Sequence, residues 1–105
     1  MDKKEVLISQ LEDFKERLSG KMEIDKLIFF GSTAAGKPKK WSDIDLIIVS
    51  KAFEQKKSYM RAKGLRDLSG FNYPMDILCY TPSEFKKLSQ RPSIVKDALK
   101  QGIAI

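Results

Sequence analysis

Three acidic residues of the sequence could bind a metal ion together. Asp43 and Asp45 are two positions apart in a run typical of a strand, so both carboxylates should leave the same face of that strand. Asp76 lies one residue into another apolar run, 75–80, where a charge would be costly without a partner. Neighbouring carboxylates repel each other unless a cation lies between them, and Mg²⁺ takes oxygen ligands. The three residues together therefore predict a magnesium site, although the Asp-x-Asp pair alone would favour a solvated strand end.

A glycine turn precedes the first two aspartates. The short apolar run 27–30 ends abruptly at Gly31 and Ser32, and small residues follow. Glycine permits a positive φ or a close backbone approach, and the N–H groups of a following helical turn can face an anion such as a triphosphate. An ordinary strand-to-helix turn would need the same residues, so this turn indicates phosphate binding only because it lies close to the acidic run. Lys37 and Lys40, between the two features, are further candidates for nucleotide binding.

The composition excludes several other kinds of chemistry. The sequence has no histidine and a single cysteine, Cys79, which excludes histidine zinc sites, a histidine base and an internal disulfide. The formal net charge of +6 favours polyanionic partners, but the basic residues are scattered and do not select one. No run is long enough for a membrane span and the start lacks a signal-peptide core, so we expect a cytoplasmic protein.

Hydrophobic periodicity predicts the elements that must position these residues. The predicted order is a helix over 3–19, a strand over 26–30, a short helical turn, a strand over 43–50, a helix over 53–68, a strand over 75–80, a short helix opened by Pro82 with Thr81 as its N-cap, a helix over 94–101 and a small edge strand over 103–105. This order predicts an α/β (α+β) fold with a small mixed β-sheet backed by helices. At this length we expect residues 1–105 to form a single domain.

The two motifs together resemble a known signature. Ile28-Phe29-Phe30-Gly31-Ser32, ten intervening residues and then Asp43-Ile44-Asp45-Leu46-Ile47-Ile48-Val49 look like the signature of the DNA polymerase β-like nucleotidyltransferase superfamily, and specifically its minimal nucleotidyltransferase branch. The resemblance implies that Gly31 and Ser32 bind the nucleotide phosphates. It implies that Asp43 and Asp45 bind Mg²⁺, in a site of two ions, and that Asp76 completes the site as ligand and base.

The resemblance also implies an activity and a partner. The activity would be transfer of a nucleoside monophosphate, such as AMP from ATP, to an acceptor hydroxyl with release of pyrophosphate. In the minimal branch the usual partner is a small helical protein of the HEPN type, and such pairs resemble toxin-antitoxin systems in which the nucleotidyltransferase is the antitoxin. Homo-oligomers are compatible with the sequence.

Two other hypotheses stay open. Many relatives have arginines just after Gly-Ser, whereas this sequence has Thr33 and Ala35 there. The chain could therefore be a binding module that keeps the fold but neutralises its partner by occlusion. Plain nucleic-acid binding is the least favoured hypothesis, because no stripe of basic and aromatic residues is visible.

Overall fold

The computed structural model describes residues 3–36, 44–70 and 74–105 of the chain. The helices are α1 (Lys3–Ser19), α2 (Gly31–Ala34), α3 (Pro82–Ser89) and α4 (Ile94–Gln101), and the strands are β1 (Lys26–Phe30), β2 (Ile44–Val49), β3 (Met75–Tyr80) and β4 (Ile103–Ala104). Between β2 and β3 lie three short 3₁₀ segments, Lys51–Gln55, Ser58–Met60 and Arg66–Leu68. None of the helices in these ranges combines the length and the apolar character that crossing a membrane requires.

The strands form one mixed sheet in the order β3-β2-β1-β4. β1 pairs antiparallel with both β2 and β4, whereas β2 pairs parallel with β3. Because a parallel pair needs a crossover, the long connection from β2 to β3 carries the chain back to the end of the sheet where β2 began. The predicted small mixed sheet backed by helices is thereby confirmed.

Apolar side chains cover both faces of this sheet. Along β2, Leu46 and Ile48 point into one core, and Ile47 and Val49 point into the other, as the period of a strand requires. The first core contains the buried face of α1, which consists of Leu7, Leu11, Phe14 and Leu18. The second core contains Phe85 of α3 with Val95 and Ala98 of α4. The result is three layers, in which the sheet lies between α1 and the pair formed by α3 and α4.

The predicted helix over 53–68 is wrong. The structure has 3₁₀ segments there, and the first of them begins after Ser50, whose side chain accepts a hydrogen bond from the backbone of Ala52. Two apolar residues of this stretch, Phe53 and Leu65, are buried, but no apolar residue between them is buried, so the stretch lacks the continuous apolar stripe of a packed helix. Gly64 has a φ of 81°, which breaks any helical path.

The predicted N-cap at Thr81 is confirmed. Its side chain accepts a hydrogen bond from the backbone N–H of Glu84, and the Glu84 carboxylate accepts one from the backbone N–H of Thr81. This reciprocal capping box, with Pro82 in the first turn, explains why α3 begins directly after β3. α4 starts in a similar way, because Ser93 accepts from the backbone N–H of Lys96.

Two arginines cover the outer edge of β3. The carbonyl of Tyr80 accepts a hydrogen bond from the chain that continues β2, so the alternate carbonyls of Met75 and Cys79 point away from the sheet. Arg66 donates to the carbonyl of Met75, and Arg61 donates to that of Cys79 at 3.3 Å. Side chains of the β2–β3 connection thus occupy hydrogen-bonding positions that an incoming strand would need.

Candidate active site

Asp45 and Asp76 lie opposite each other on adjacent strands. The parallel register of β2 and β3 pairs them directly, and the antiparallel register of β1 and β2 places Phe30 on the other side of Asp45. Neighbouring strands are about 4.8 Å apart, and paired residues present their side chains to the same face. The fold therefore brings together two of the predicted carboxylates, although they are far apart in the sequence.

This acidic pair lies on the sheet face that carries α3 and α4. Asp45 is two positions before Ile47, and Asp76 is two positions before Leu78. Residues two apart on a strand share a face, and Ile47 and Leu78 belong to the core on the α3 and α4 side. Asp76 is exposed, whereas Asp45 is partly buried. The expectation that a charge at Asp76 needs a partner because of burial is wrong, since water reaches this end of β3.

Gly31 packs directly against the carboxylate of Asp45. A Cβ atom added to Gly31 would lie 2.2 Å from Oδ2 and 3.1 Å from Cγ of Asp45, and the φ of Gly31 is 86°. Both the space and the backbone conformation therefore require glycine at this position. The predicted glycine turn and the acidic strand are in contact, which places a helix start beside a carboxylate.

The helix that starts at Gly31 is a single turn. The N-cap residue is Phe30, whose side chain makes no capping hydrogen bond, and the backbone N–H of Ala35 donates to the carbonyl of Gly31 at 3.0 Å. Ser32 is partly buried and Thr33 is buried. Of the two positions where the family resemblance implies arginine, position 33 is buried and position 35 is exposed. None of the residues of α2 is charged.

Three of the predicted site residues lie outside the described ranges. These are Asp43, Lys37 and Lys40, so their roles stay predictions. Within 3–36, 44–70 and 74–105, no group of three acidic, histidine or cysteine side chains is close enough to hold a metal ion. The described part of the site therefore consists of Asp45, Asp76 and the Gly31 turn.

The donor set fits a hard divalent cation. Two carboxylates on one face, at neighbouring positions of adjacent strands, offer the oxygen ligands that Mg²⁺ prefers. The tight packing of Asp45 against Gly31 restricts where its carboxylate can lie, which favours a defined ligand geometry. Asp45 and Asp76 could therefore share one cation.

Sequence reasoning missed Arg66. Its Nη2 atom donates to the carbonyl of Met75, the residue directly before Asp76. Covalent geometry then places this nitrogen within about 6 Å of the Cα of Asp76. No signal in the sequence indicates this contact, because it depends on the irregular path of the β2–β3 connection.

The single cysteine does not contribute chemistry. Burial raises the pKa of the Cys79 thiol to about 11, so the reactive thiolate is scarce at neutral pH. Its side chain packs with the core that contains α1. The interpretation of Cys79 as a small core residue agrees with the structure.

Comparison with known proteins identifies the class. The nucleotidyltransferase domain family matches residues 7–105, and the chain belongs to this family. No curated protein matches it significantly in sequence.

Two solved structures are similar in fold. One is a Sulfolobus solfataricus protein named provisionally as a nucleotidyltransferase; it is 20% identical with a TM-score of 0.54, and the match covers 99% of this chain and 87% of that one. A second protein with the same provisional name is 24% identical with a TM-score of 0.49, and the match covers 80% of this chain and 87% of that one. The first of these similarities supports the fold.

Proposed function

We propose that this chain is a Mg²⁺-dependent nucleotidyltransferase that transfers AMP from ATP to a hydroxyl of a partner protein. Membership of the nucleotidyltransferase domain family supports nucleotidyl transfer in general. The observation that carries the proposal is the pairing of Asp45 with Asp76 beside Gly31. In this proposal the two carboxylates would bind the metal next to the turn that would receive the triphosphate.

The carboxylates would hold Mg²⁺ in a site of two ions, with Asp43 as the third ligand. Bound Mg²⁺ would neutralise charge on the polyphosphate and bring the reacting oxygens into line. Asp45, held against Gly31, is suited to be a ligand that hardly moves. Asp76 is exposed and can reach an incoming hydroxyl, which suits a group that accepts its proton.

The phosphates would bind at the start of α2. The first N–H groups of a helix have no acceptor within the helix, and in this position they can bind an anion. We assign this role to Gly31 and Ser32. Since α2 carries no charged residue, we assign the cationic contacts to Lys37 and Lys40.

The acceptor would be a HEPN-type helical protein, and this chain would be the antitoxin of the pair. This part of the proposal rests on the sequence resemblance to the minimal nucleotidyltransferase branch.

The test is transfer of label from ATP. The purified chain is incubated with α-labelled ATP, Mg²⁺ and the protein encoded by the neighbouring gene. The wild type should label that protein, and Asp45→Asn or Asp76→Asn should lower the rate by about 100-fold or more. Asp67→Asn, an isosteric change at an exposed aspartate of the β2–β3 connection, is the matched control and should keep the wild-type rate.

Either of two results would contradict the proposal. One is the absence of label with the wild type, and the other is equal labelling by the wild type and both site variants. Labelling that persists after Mg²⁺ is removed by a chelator would contradict the role of the metal.

Occlusion of the partner without catalysis is the second candidate. It is favoured by the lack of any charged side chain in α2, where relatives often carry arginine. Calorimetry with ATP and Mg²⁺ separates the two. Absence of nucleotide binding, together with tight and metal-independent binding of the partner, would support occlusion.

A further inference from the structure

A second charged feature lies away from the carboxylates. The β2–β3 connection forms a cavity of about 350 Å³ lined by Gln55, Lys56, Lys57, Met60 and Lys63. We call it the lysine cavity. None of the described residues that line it is acidic, and all three lysines are exposed. In the described part of the chain, none of the three forms an ion pair.

A buried arginine fixes this cavity to the sheet. Arg61 donates from Nε to the carbonyl of Lys56 at 3.3 Å and from Nη1 to the carbonyl of Cys79 at 3.3 Å. Its charge is balanced by Glu84, whose Oε1 atom lies 2.6 Å from Nη1. The cavity is therefore anchored to the end of β3, and its own lysines supply positive charge that Glu84 does not neutralise.

Exposed apolar side chains lie beside the lysine cavity, in the short 3₁₀ segment Ser58–Met60 that contributes Met60 to its lining. The side chain of Tyr59 is 75% exposed and that of Met60 is 40% exposed. Tyrosine and methionine are enriched where proteins bind each other. Among the described residues Tyr59 is the one large aromatic side chain that is strongly exposed, and stacking of successive bases would need several. These features favour a protein surface over a nucleic-acid strand.

The charges of the partner, and not its backbone, would be recognised here. Arg61 and Arg66 already occupy outward carbonyls of β3, so a peptide cannot simply add a strand to this edge. Lysines that surround a concave surface complement carboxylates that project from a partner.

The lysine cavity is close enough to the carboxylate pair to share a partner with it. Arg61 links the carbonyl of Lys56, which lines the cavity, to the carbonyl of Cys79. Cys79 is three positions from Asp76 on the same strand, which is about 10 Å along β3. A standard interface buries about 800 Å² on each partner, a patch roughly 30 Å across. One bound protein can thus cover the lysine cavity and reach Asp76.

The geometry points to the lysine cavity and Tyr59 as the docking surface for an acidic face of the protein that carries the acceptor hydroxyl. This inference rests on the proposed function, because it assumes a protein acceptor. It adds that the partner is recognised at a surface distinct from the carboxylates that would act on it. Substitutions at the lysine cavity should therefore weaken acceptor binding without weakening ATP binding.

The test compares two triple variants of equal charge. Lys56, Lys57 and Lys63 are changed to Gln in one, and the exposed Lys86, Lys87 and Lys100 are changed to Gln in the other. Each variant lowers the formal net charge from +6 to +3. Affinity for the fluorescently labelled neighbouring-gene protein is measured by anisotropy, and ATP binding by calorimetry, with thermal unfolding as the check on folding.

The lysine-cavity variant should bind the acceptor at least tenfold more weakly and raise its KM by a similar factor, with unchanged affinity for ATP. The control variant should change acceptor affinity less than twofold. Tyr59→Ala should also weaken acceptor binding, as the lysine-cavity variant does. Raising the salt concentration should reduce the difference between wild type and the lysine-cavity variant, because screening weakens exposed charges.

Equal losses in the two triple variants would overturn the inference, because they would show attraction by net charge alone. It would also be overturned if a labelled twelve-nucleotide oligo(dT) loses affinity for the lysine-cavity variant while the acceptor does not. Acceptor binding that depends on the lysine cavity, without AMP transfer by the wild type, would refute the proposed function and leave the docking surface. AMP transfer by the lysine-cavity variant with an unchanged acceptor KM would refute the docking surface and leave the proposed function.

Discussion

The contact between Gly31 and Asp45 gives the sharpest prediction. In Gly31→Ala the new Cβ would lie 2.2 Å from Oδ2 of Asp45, far inside van der Waals contact, so the carboxylate must move by about 1 Å or more. The φ of 86° adds a backbone cost, because L-residues with a side chain disfavour positive φ. The substitution therefore perturbs both the fold and the position of one proposed metal ligand.

The two effects have different magnitudes and different readouts. The backbone term is about 1–2 kcal/mol, which corresponds to a fall in Tm of roughly 4–16 °C for a domain of this size. A misplacement of about 1 Å at a reacting centre costs about 100-fold in rate. Catalysis should therefore fall by much more than the loss of stability accounts for at a temperature where the variant is still folded.

Gly64→Ala separates the two effects. Gly64 has a φ of 81°, and a Cβ added there would meet nothing within 4 Å. This variant should lose only the backbone contribution of about 1–2 kcal/mol and keep its rate of AMP transfer. Tm would be measured by circular dichroism, Mg²⁺-ATP affinity by calorimetry and the rate by transfer of label.

One result would refute this reasoning. If Gly31→Ala and Gly64→Ala have the same transfer rate and the same affinity for Mg²⁺-ATP, then the position of Asp45 against Gly31 does not matter to the site. A smaller loss of Tm in Gly31→Ala than in Gly64→Ala would contradict the steric part of the argument.

Two further predictions concern contacts made by the β2–β3 connection and α3. Arg66→Met should lower the transfer rate about tenfold or more with little change in the KM for ATP, because the carbonyl before Asp76 loses its donor. The control is Arg17→Met, which removes hydrogen bonds to the carbonyls of Leu68 and Ser69 in the same connection and should lower Tm without changing the transfer rate. Equal losses of rate in the two variants would exclude a role of Arg66 in positioning Asp76. The hydrogen bond from Arg61 holds the pKa of Glu84 below its ordinary value of 4.5, so this stabilisation is present above pH 4.5 and is lost as the pH falls through the folded-state pKa. In Glu84→Gln, which keeps the capping geometry, Tm should be lower than in the wild type at pH 7, and the difference should shrink as the pH falls below 4.5. A constant difference would show that the charge of Glu84 does not contribute.

Several features of the fold could be predicted because their signals are local. The periodicity of α1, the dense apolar runs of β1 and β2 and the N-cap at Thr81 each depend on residues within one or two turns of chain. The connection between β2 and β3 could not be predicted in the same way. Its many charged residues resemble a solvated helix, whereas the burial of Phe53 and Leu65 against the sheet gives it an irregular path.

The amino-acid sequence by itself determined which residues are available for chemistry and which local elements carry them. Aspartates at the start of apolar strands and a glycine after an apolar run are visible without coordinates. Only the tertiary structure decided that Asp76 pairs with Asp45, that Gly31 touches the same carboxylate and that Lys56, Lys57 and Lys63 line one cavity. Strand register and long-range contacts depend on how the two cores pack on the sheet, and no short stretch of sequence encodes that packing.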